Sequence, residues 1–245
     1  MDKLNGILSG VKVLDFSTLL PGPLATLFLA ETGAEVIKVE RPIIGDEMRD
    51  KSPKIDGTNV SFALLNRGKK SIQIDLKDKK AKQRLTPLLR NTDIIVEQFR
   101  PGVMKRLGLD WITVKKINKR LVYCSITGYG QTGFKKNKAG HDLNYLAESG
   151  LLSLSTYKDG TPILPNTQIA DIAAGSYPAF MNIILALIKS QRTNQGSYLD
   201  ISMYENLVPL AWLGLTYALN GKSIKKNSLH LNGGLARYNI YETKD

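Results

Sequence analysis

The sequence is poor in the residues that most often announce chemistry. One cysteine, Cys124, and two histidines occur among 245 residues. A single thiol cannot form a disulfide within the chain or build a thiolate metal site, which argues for a reducing compartment. No histidine, cysteine, aspartate and glutamate cluster has metal-ligand spacing. No run of about twenty apolar residues appears, and the opening M-D-K-L-N-G-I-L-S-G has no apolar signal core. These absences predict a soluble, cytoplasmic protein with no membrane partner. G-x-S-x-G, P-loop and G-x-G-x-x-G patterns are all missing, and the first predicted turn offers only Gly22 between two prolines. A nicotinamide site is therefore not expected. The chain has no internal repeat and no low-complexity tract.

Acidic residues are also scarce, 22 against 34 lysines and arginines, for a formal charge of +12. Such a balance favours anionic partners, phosphorylated small molecules among them. The lysines are scattered, as at Lys69 and Lys70 or Lys135, Lys136 and Lys138. They lack the interleaved aromatics of a single-strand binder, so nucleic acid is a remote reading.

What is present is an alternation of strand and helix patterns. Residues 11–17 read as a buried strand and residues 24–32 as a short apolar helix. Pro23 sits in that helix's first turn, and Gly33 follows it as a stop. Residues 35–39 form a second strand, completing a βαβ unit whose right-handed crossover makes the strands parallel. Further strands are predicted at 71–76, 93–98, 121–127 and 197–202. Helices are predicted at 78–90, with a late break at Pro87, at 111–118, at 143–154 with an interruption at Gly150, at 177–189 in the core, and at 203–219. Residues 42–59 read as a mobile loop, and the tail R-Y-N-I-Y-E-T as one arm of a hairpin. The pattern predicts an α/β fold with an open, parallel, Rossmann-like sheet.

The candidate chemistry centres on A-G-H-D-L-N-Y, residues 139–145, which follows a glycine- and lysine-rich loop at the end of a predicted strand. Ligands of open α/β sheets gather at such ends. His141 can take or give a proton near neutral pH, although a histidine that only fastens a loop has the same sequence appearance. Asp171, in Q-I-A-D-I-A-A-G, stands where a helix cap could stand, and free amides at a helix start also suit a developing oxyanion. Asp142 is placed to cap a helix beginning at Leu143. Arg41 and Arg106 follow strand ends, where a guanidinium grips phosphate if it is not simply solvated. Glu205 and Glu242 read as surface residues.

Several longer runs occur in one order: V-L-D-F-S with L-P-G-P, G-A-E-V-I-K-V-E-R-P, N-R-G-K-K-S-I, F-R-P-G-V-M-K-R-L-G-L, T-G-Y-G-Q-T-G, A-G-H-D-L-N-Y, Q-I-A-D-I-A-A-G and Y-L-D-I-S-M-Y-E. With them the chain resembles the class III CoA-transferase (CaiB/BaiF) superfamily, and most closely its α-methylacyl-CoA racemase branch. The resemblance implies proton transfer α to a thioester carbonyl, with His141 on one face of the carbon and Asp171 on the other. Backbone amides near Asp171 would stabilise the enolate. It implies coenzyme A as part of the substrate rather than a prosthetic group, and an interlocked homodimer. Contacts to CoA are implied for Arg41, for Gln73, Ile74, Asp75 and Leu76, for Gln98, Phe99 and Arg100, for Arg106, and for Gly140, Asp142, Leu143, Asn144 and Tyr145. No metal is implied. Family chains are longer and include a second, smaller domain. The resemblance therefore implies that residues 1–220 are the large CoA-binding domain and residues 221–245 the incomplete start of a linker or small domain. In the racemases a glutamate partnering the histidine lies beyond the tail. Two further readings stay open: a transferase using Asp171 as a nucleophile, and an inactive acyl-CoA binder.

Overall fold

The computed structural model describes residues 6–157, 159–224 and 227–244. The predicted βαβ unit is β1 (Lys12–Asp15), α1 (Pro21–Glu31) and β2 (Glu35–Glu40), with β1 and β2 parallel. The helix begins at Pro21, earlier than expected. Pro21 and Pro23 both lie in the first turn, where their missing N–H groups have no intrahelical role.

Residues 42–59 are not the mobile loop expected. They form a 3-10 turn, Glu47–Asp50, and a small hairpin, β3 (Lys54–Ile55) with β4 (Thr58–Asn59). The anchor is a buried ion pair, Lys38 Nζ to Asp46 Oδ2 at 2.9 Å, with both side chains at most 2% exposed. Glu40 adds a two-pronged contact to Arg49, each arm 2.7 Å. A helix not foreseen, α2 (Val60–Asn66), follows, and the Asn59 side chain accepts the Phe62 N–H at its start.

β5 (Lys70–Gln73), α3 (Ala81–Arg90), β6 (Ile94–Glu97), α4 (Val103–Arg106), α5 (Trp111–Val114), β7 (Val122–Thr127) and α6 (Asp142–Glu148) come next. Helix α3 runs through Pro87 to Arg90. Helix α5 stops at Val114, short of the expected 118, and α4 was not anticipated at all. A π-helical segment, Ala170–Ser176, runs straight into α7 (Tyr177–Thr193), followed by β8 (Ser197–Ser202). The single helix expected over 203–219 is broken into α8 (Met203–Asn206), a 3-10 turn at Pro209–Ala211 and α9 (Trp212–Leu219). Pro209 has no N–H to continue a helix through that point. The tail forms no strand among its described residues. It is instead held down by buried Leu229 and by side-chain amides of Asn227 and Asn232 donating to the carbonyls of Thr156 and Leu154.

The six long strands form one sheet in the order β5-β2-β1-β6-β7-β8, parallel throughout. On one face Val13, Ile94, Val96, Val122 and Cys124 pack under α1, α6 and α7. On the other, Leu14, Ile95, Leu121 and Tyr123 pack under α3, α4 and α5. The stretch Ala170–Thr193 is long and apolar enough to cross a membrane by length and composition. Here it lies on the sheet, in contact with α1, β7 and β8. It is less central than expected: Ala179, Ile183 and Leu187 face inward, while Met181, Leu185 and Ile188 are exposed.

Candidate functional site

The chain leaves β1 outward to β2 and β5, then returns to add β6 on β1's other side. That reversal opens a crevice at the carboxyl ends of β1 and β6, the usual binding place in such sheets. A cavity of about 290 Å³ lies there. Its lining comes from the turns after four strands: Leu19 and Pro21 after β1; Gln98, Phe99, Arg100 and Pro101 after β6; Gly128, Tyr129, Lys136, Lys138, Ala139, Gly140 and His141 after β7; and Met203 after β8. Thr127, Tyr145 and Asp171 complete it.

The sequence-predicted pair thus shares one cavity. His141 is exposed and immediately precedes α6, in extended backbone. Its N–H donates to Asn144 Oδ1 at 2.9 Å, while the Asn144 N–H donates to the His141 carbonyl. These reciprocal bonds fix the backbone from which the imidazole projects. Tyr145 donates its hydroxyl proton to the Gly140 carbonyl and packs edge-on to Tyr129. A side chain at Gly128 would collide with that phenol: an added Cβ would lie 2.4 Å from Tyr145 Oη.

Asp171 lies inside the first turn of the π-helical segment and is not its cap. The cap is supplied from elsewhere. Asp142 was expected to cap α6; instead it accepts the Asp171 N–H at 2.9 Å, with the amides of Ala170 and Ile169 also directed at it. The Ile172 N–H goes to the Gln168 carbonyl. The amides near Asp171 expected to form an oxyanion hole are therefore already occupied. Burial pushes the Asp171 carboxyl up to about 7, and the Asp142 charge adds to the effect. π-helical turns widen the backbone and recur at functional sites. This one is tied to α1 by Ser176, whose hydroxyl donates to the Pro21 carbonyl at 2.9 Å.

Of the CoA contacts implied by resemblance, Gln98, Phe99, Arg100, Gly140 and Tyr145 line the cavity. Gln98 also accepts the Gly22 N–H at 3.0 Å, joining the β6 turn to the start of α1. The others lie outside the lining. Arg41 is exposed and 3.4 Å from Glu47, Arg106 is exposed on α4, and Gln73 is exposed at the end of β5. Ile74 and Leu76 pack on the second core, Asp75 accepts the Lys77 N–H, and Leu143 is exposed. Asp142 and Asn144 spend their side chains on the caps just described.

Residues the sequence did not single out include Lys136, Lys138, Tyr129 and Met203. Their signal was positional, each falling in a turn after a strand's carboxyl end. Lys138 and Lys135 both pair with Glu148, at 2.6 and 2.9 Å, and Tyr129 donates to the same carboxylate. No three-residue group of potential metal ligands occurs among the described residues.

The sequence profile of CoA-transferase family III matches residues 8–245. The chain belongs to this family. It is 37% identical to human succinyl-CoA:glutarate CoA-transferase over 241 residues, 97% of this chain and 54% of that protein. It is 35% identical to human alpha-methylacyl-CoA racemase over 239 residues, 97% of this chain and 59% of that one. Among solved structures, a CaiB/BaiF family protein from Brucella suis superposes with a TM-score of 0.85 at 34% identity, covering 93% of this chain and 62% of that one. This family III chain thus spans little more than half the length of the curated relatives it matches, 54% and 59% for the two human proteins.

Proposed function

We propose that the protein exchanges the α-proton of a 2-methylacyl-CoA thioester and so interconverts its two configurations. The observation that carries this reading is one cavity lined by both an imidazole and a carboxyl that holds its proton to about pH 7. A general acid or base works best when its pKa lies near the working pH. His141 removes the α-proton, and the C–H electron pair moves into the enolate. Protonated Asp171 then returns a proton to the opposite face, and the reverse reaction exchanges the two roles. Arg100, Lys136 and Lys138 line the same cavity and favour the negative charge of the enolate and of the CoA phosphates. CoA enters as part of the substrate. The same proposal includes self-association, supported by the apolar strip of Met181, Leu185 and Ile188 left exposed on α7.

A second reading is favoured by the relatives, most of which are named CoA-transferases. In it the ionised Asp171 carboxylate attacks the thioester carbonyl, CoA thiolate leaves, and a mixed anhydride forms. The thiolate then attacks the Asp171 carbonyl, which releases the donor acid and leaves CoA on Asp171 as a thioester. The acceptor carboxylate attacks that thioester, and the freed thiolate attacks the acceptor's carbonyl in the new anhydride. This gives the product thioester and restores the Asp171 carboxylate. Incubation with a single 2-methylacyl-CoA enantiomer in deuterated water separates the two. The racemase reading expects deuterium at the α-carbon without any acceptor, reduced by about a hundredfold or more in His141→Ala or Asp171→Asn. CoA transfer that requires an acceptor acid, with no α-exchange, would establish the second reading instead.

A further inference from the structure

Glu97, the last residue of β6, is 3% exposed and makes no ion pair among the described residues. Its two oxygens run to different places. Oε2 accepts the Phe99 N–H at 2.8 Å. That bond bends the chain just where Gln98, Phe99 and Arg100 enter the cavity wall. Oε1 is bonded to the Ser125 hydroxyl, and Ser125 Oγ in turn accepts the Gln131 side-chain N–H at 2.6 Å. Gln131 belongs to the loop after β7, which carries Tyr129, Lys136, Lys138 and Gly140 to the same cavity. The loop's second tether is adjacent, the Gln131 N–H to Asp200 Oδ2 at 2.9 Å.

A buried carboxyl without a cation is costly unless its bonds are worth keeping. Burial pushes this one up to about 7, with Asp200 adding to the shift and the Ser125 and Phe99 bonds opposing it. The neighbouring hydroxyls of Tyr123 and Tyr198 bring no positive charge. Arg100, Lys105 and Asp110 share with Glu97 a second cavity of about 370 Å³. Nothing in the proton exchange uses Glu97, yet both segments that line the active cavity from β6 and β7 are tied to it.

We propose that Glu97 is a positioning residue for acyl-CoA: its single carboxyl sets the β6 turn and the β7 loop in register with one another. This rests on reading the cavity as the acyl-CoA site. A glutamine keeps the Phe99 bond through its carbonyl and can hold Ser125 by the reversed bond, its amide donating to Ser125 Oγ beside the Gln131 amide, whereas alanine keeps neither. Gln131→Ala cuts only the loop arm and leaves the sheet intact.

The test is CoA affinity by calorimetry, with the melting temperature measured alongside. The expected result is wild-type affinity within about twofold for Glu97→Gln, about tenfold weaker binding for Glu97→Ala, and about fivefold weaker binding for Gln131→Ala at an unchanged melting temperature. Wild-type affinity in Gln131→Ala, or equal losses in Glu97→Gln and Glu97→Ala, would overturn the inference while leaving the cavity reading intact. Failure of the wild-type protein to bind CoA would overturn both.

Discussion

Asp171 and Glu97 keep their protons to about pH 7 because burial penalises their anions. An unfolded carboxyl releases its proton near pH 4. Between those values the folded chain binds more protons than the unfolded one, so stability falls as pH rises from about 4 to 7. Asp15 and Glu40 behave oppositely. Burial alone would raise them, but Lys69 and Lys38 at Asp15, and Arg49 and Ser71 at Glu40, hold both at about 2. Their stabilisation is complete above pH 4 and is lost as pH falls toward 2. Urea melts between pH 5 and 6 are expected to show a decline of roughly 1.4 kcal/mol per pH unit from each raised group. The double variant Asp171→Asn/Glu97→Gln should flatten that decline, and an unchanged slope would contradict the assignment. At this scale His141 and Asp171 could be picked out as candidates because glycines and polar neighbours frame them, and both line one cavity. Glu97 was not: in D-I-I-V-E-Q an acid at a strand end looks like the exposed end of the strand, and only tertiary packing buries it.

At the scale of elements, the segment between β2 and α2 shows what a one-dimensional reading misses. Lys38 stands in E-V-I-K-V, where a lysine reads as the solvent-facing residue of a strand. Its partner Asp46 lies in a stretch with no periodicity at all. Together they form a buried pair, and Lys38 Nζ also donates to the Ser17 carbonyl at 2.7 Å. Asp46→Ala removes the ion-pair partner of that buried ammonium, leaving it only the charge of Asp15, and is expected to destabilise the protein by about 3 kcal/mol in urea unfolding. The pair replacement Lys38→Met/Asp46→Leu should recover most of the loss. A loss below about 1 kcal/mol in Asp46→Ala would mean that the segment orders without the pair. The break at Pro209 was, by contrast, readable from the residue itself, and the expectation of one helix over 203–219 gave apolar spacing too much weight over a missing N–H.

For the whole molecule, alternation of strand and helix patterns was enough to foresee the parallel sheet, because each strand is a short apolar run bounded by turns. The reversal of strand order that sets β6 beside β1 was not readable, since pairing partners leave no local mark, and it is that reversal which opens the cavity. The sheet also seals Cys124 in β7, with no side-chain exposure, in the cluster beneath α7. Burial, with the charge of Glu97 adding to it, keeps its thiol protonated well above the usual range. Being the sole sulfhydryl of the chain, it is a built-in stopwatch: a thiol reagent can mark it only when the helical layer lifts from the strands. Marking is expected to be slow in the native protein and, on the proposed function, slower still with CoA, since a ligand of the closed form holds it by mass action. Rapid modification regardless of ligand would mean that the layer parts from the sheet without disturbing the proposed thioester cavity.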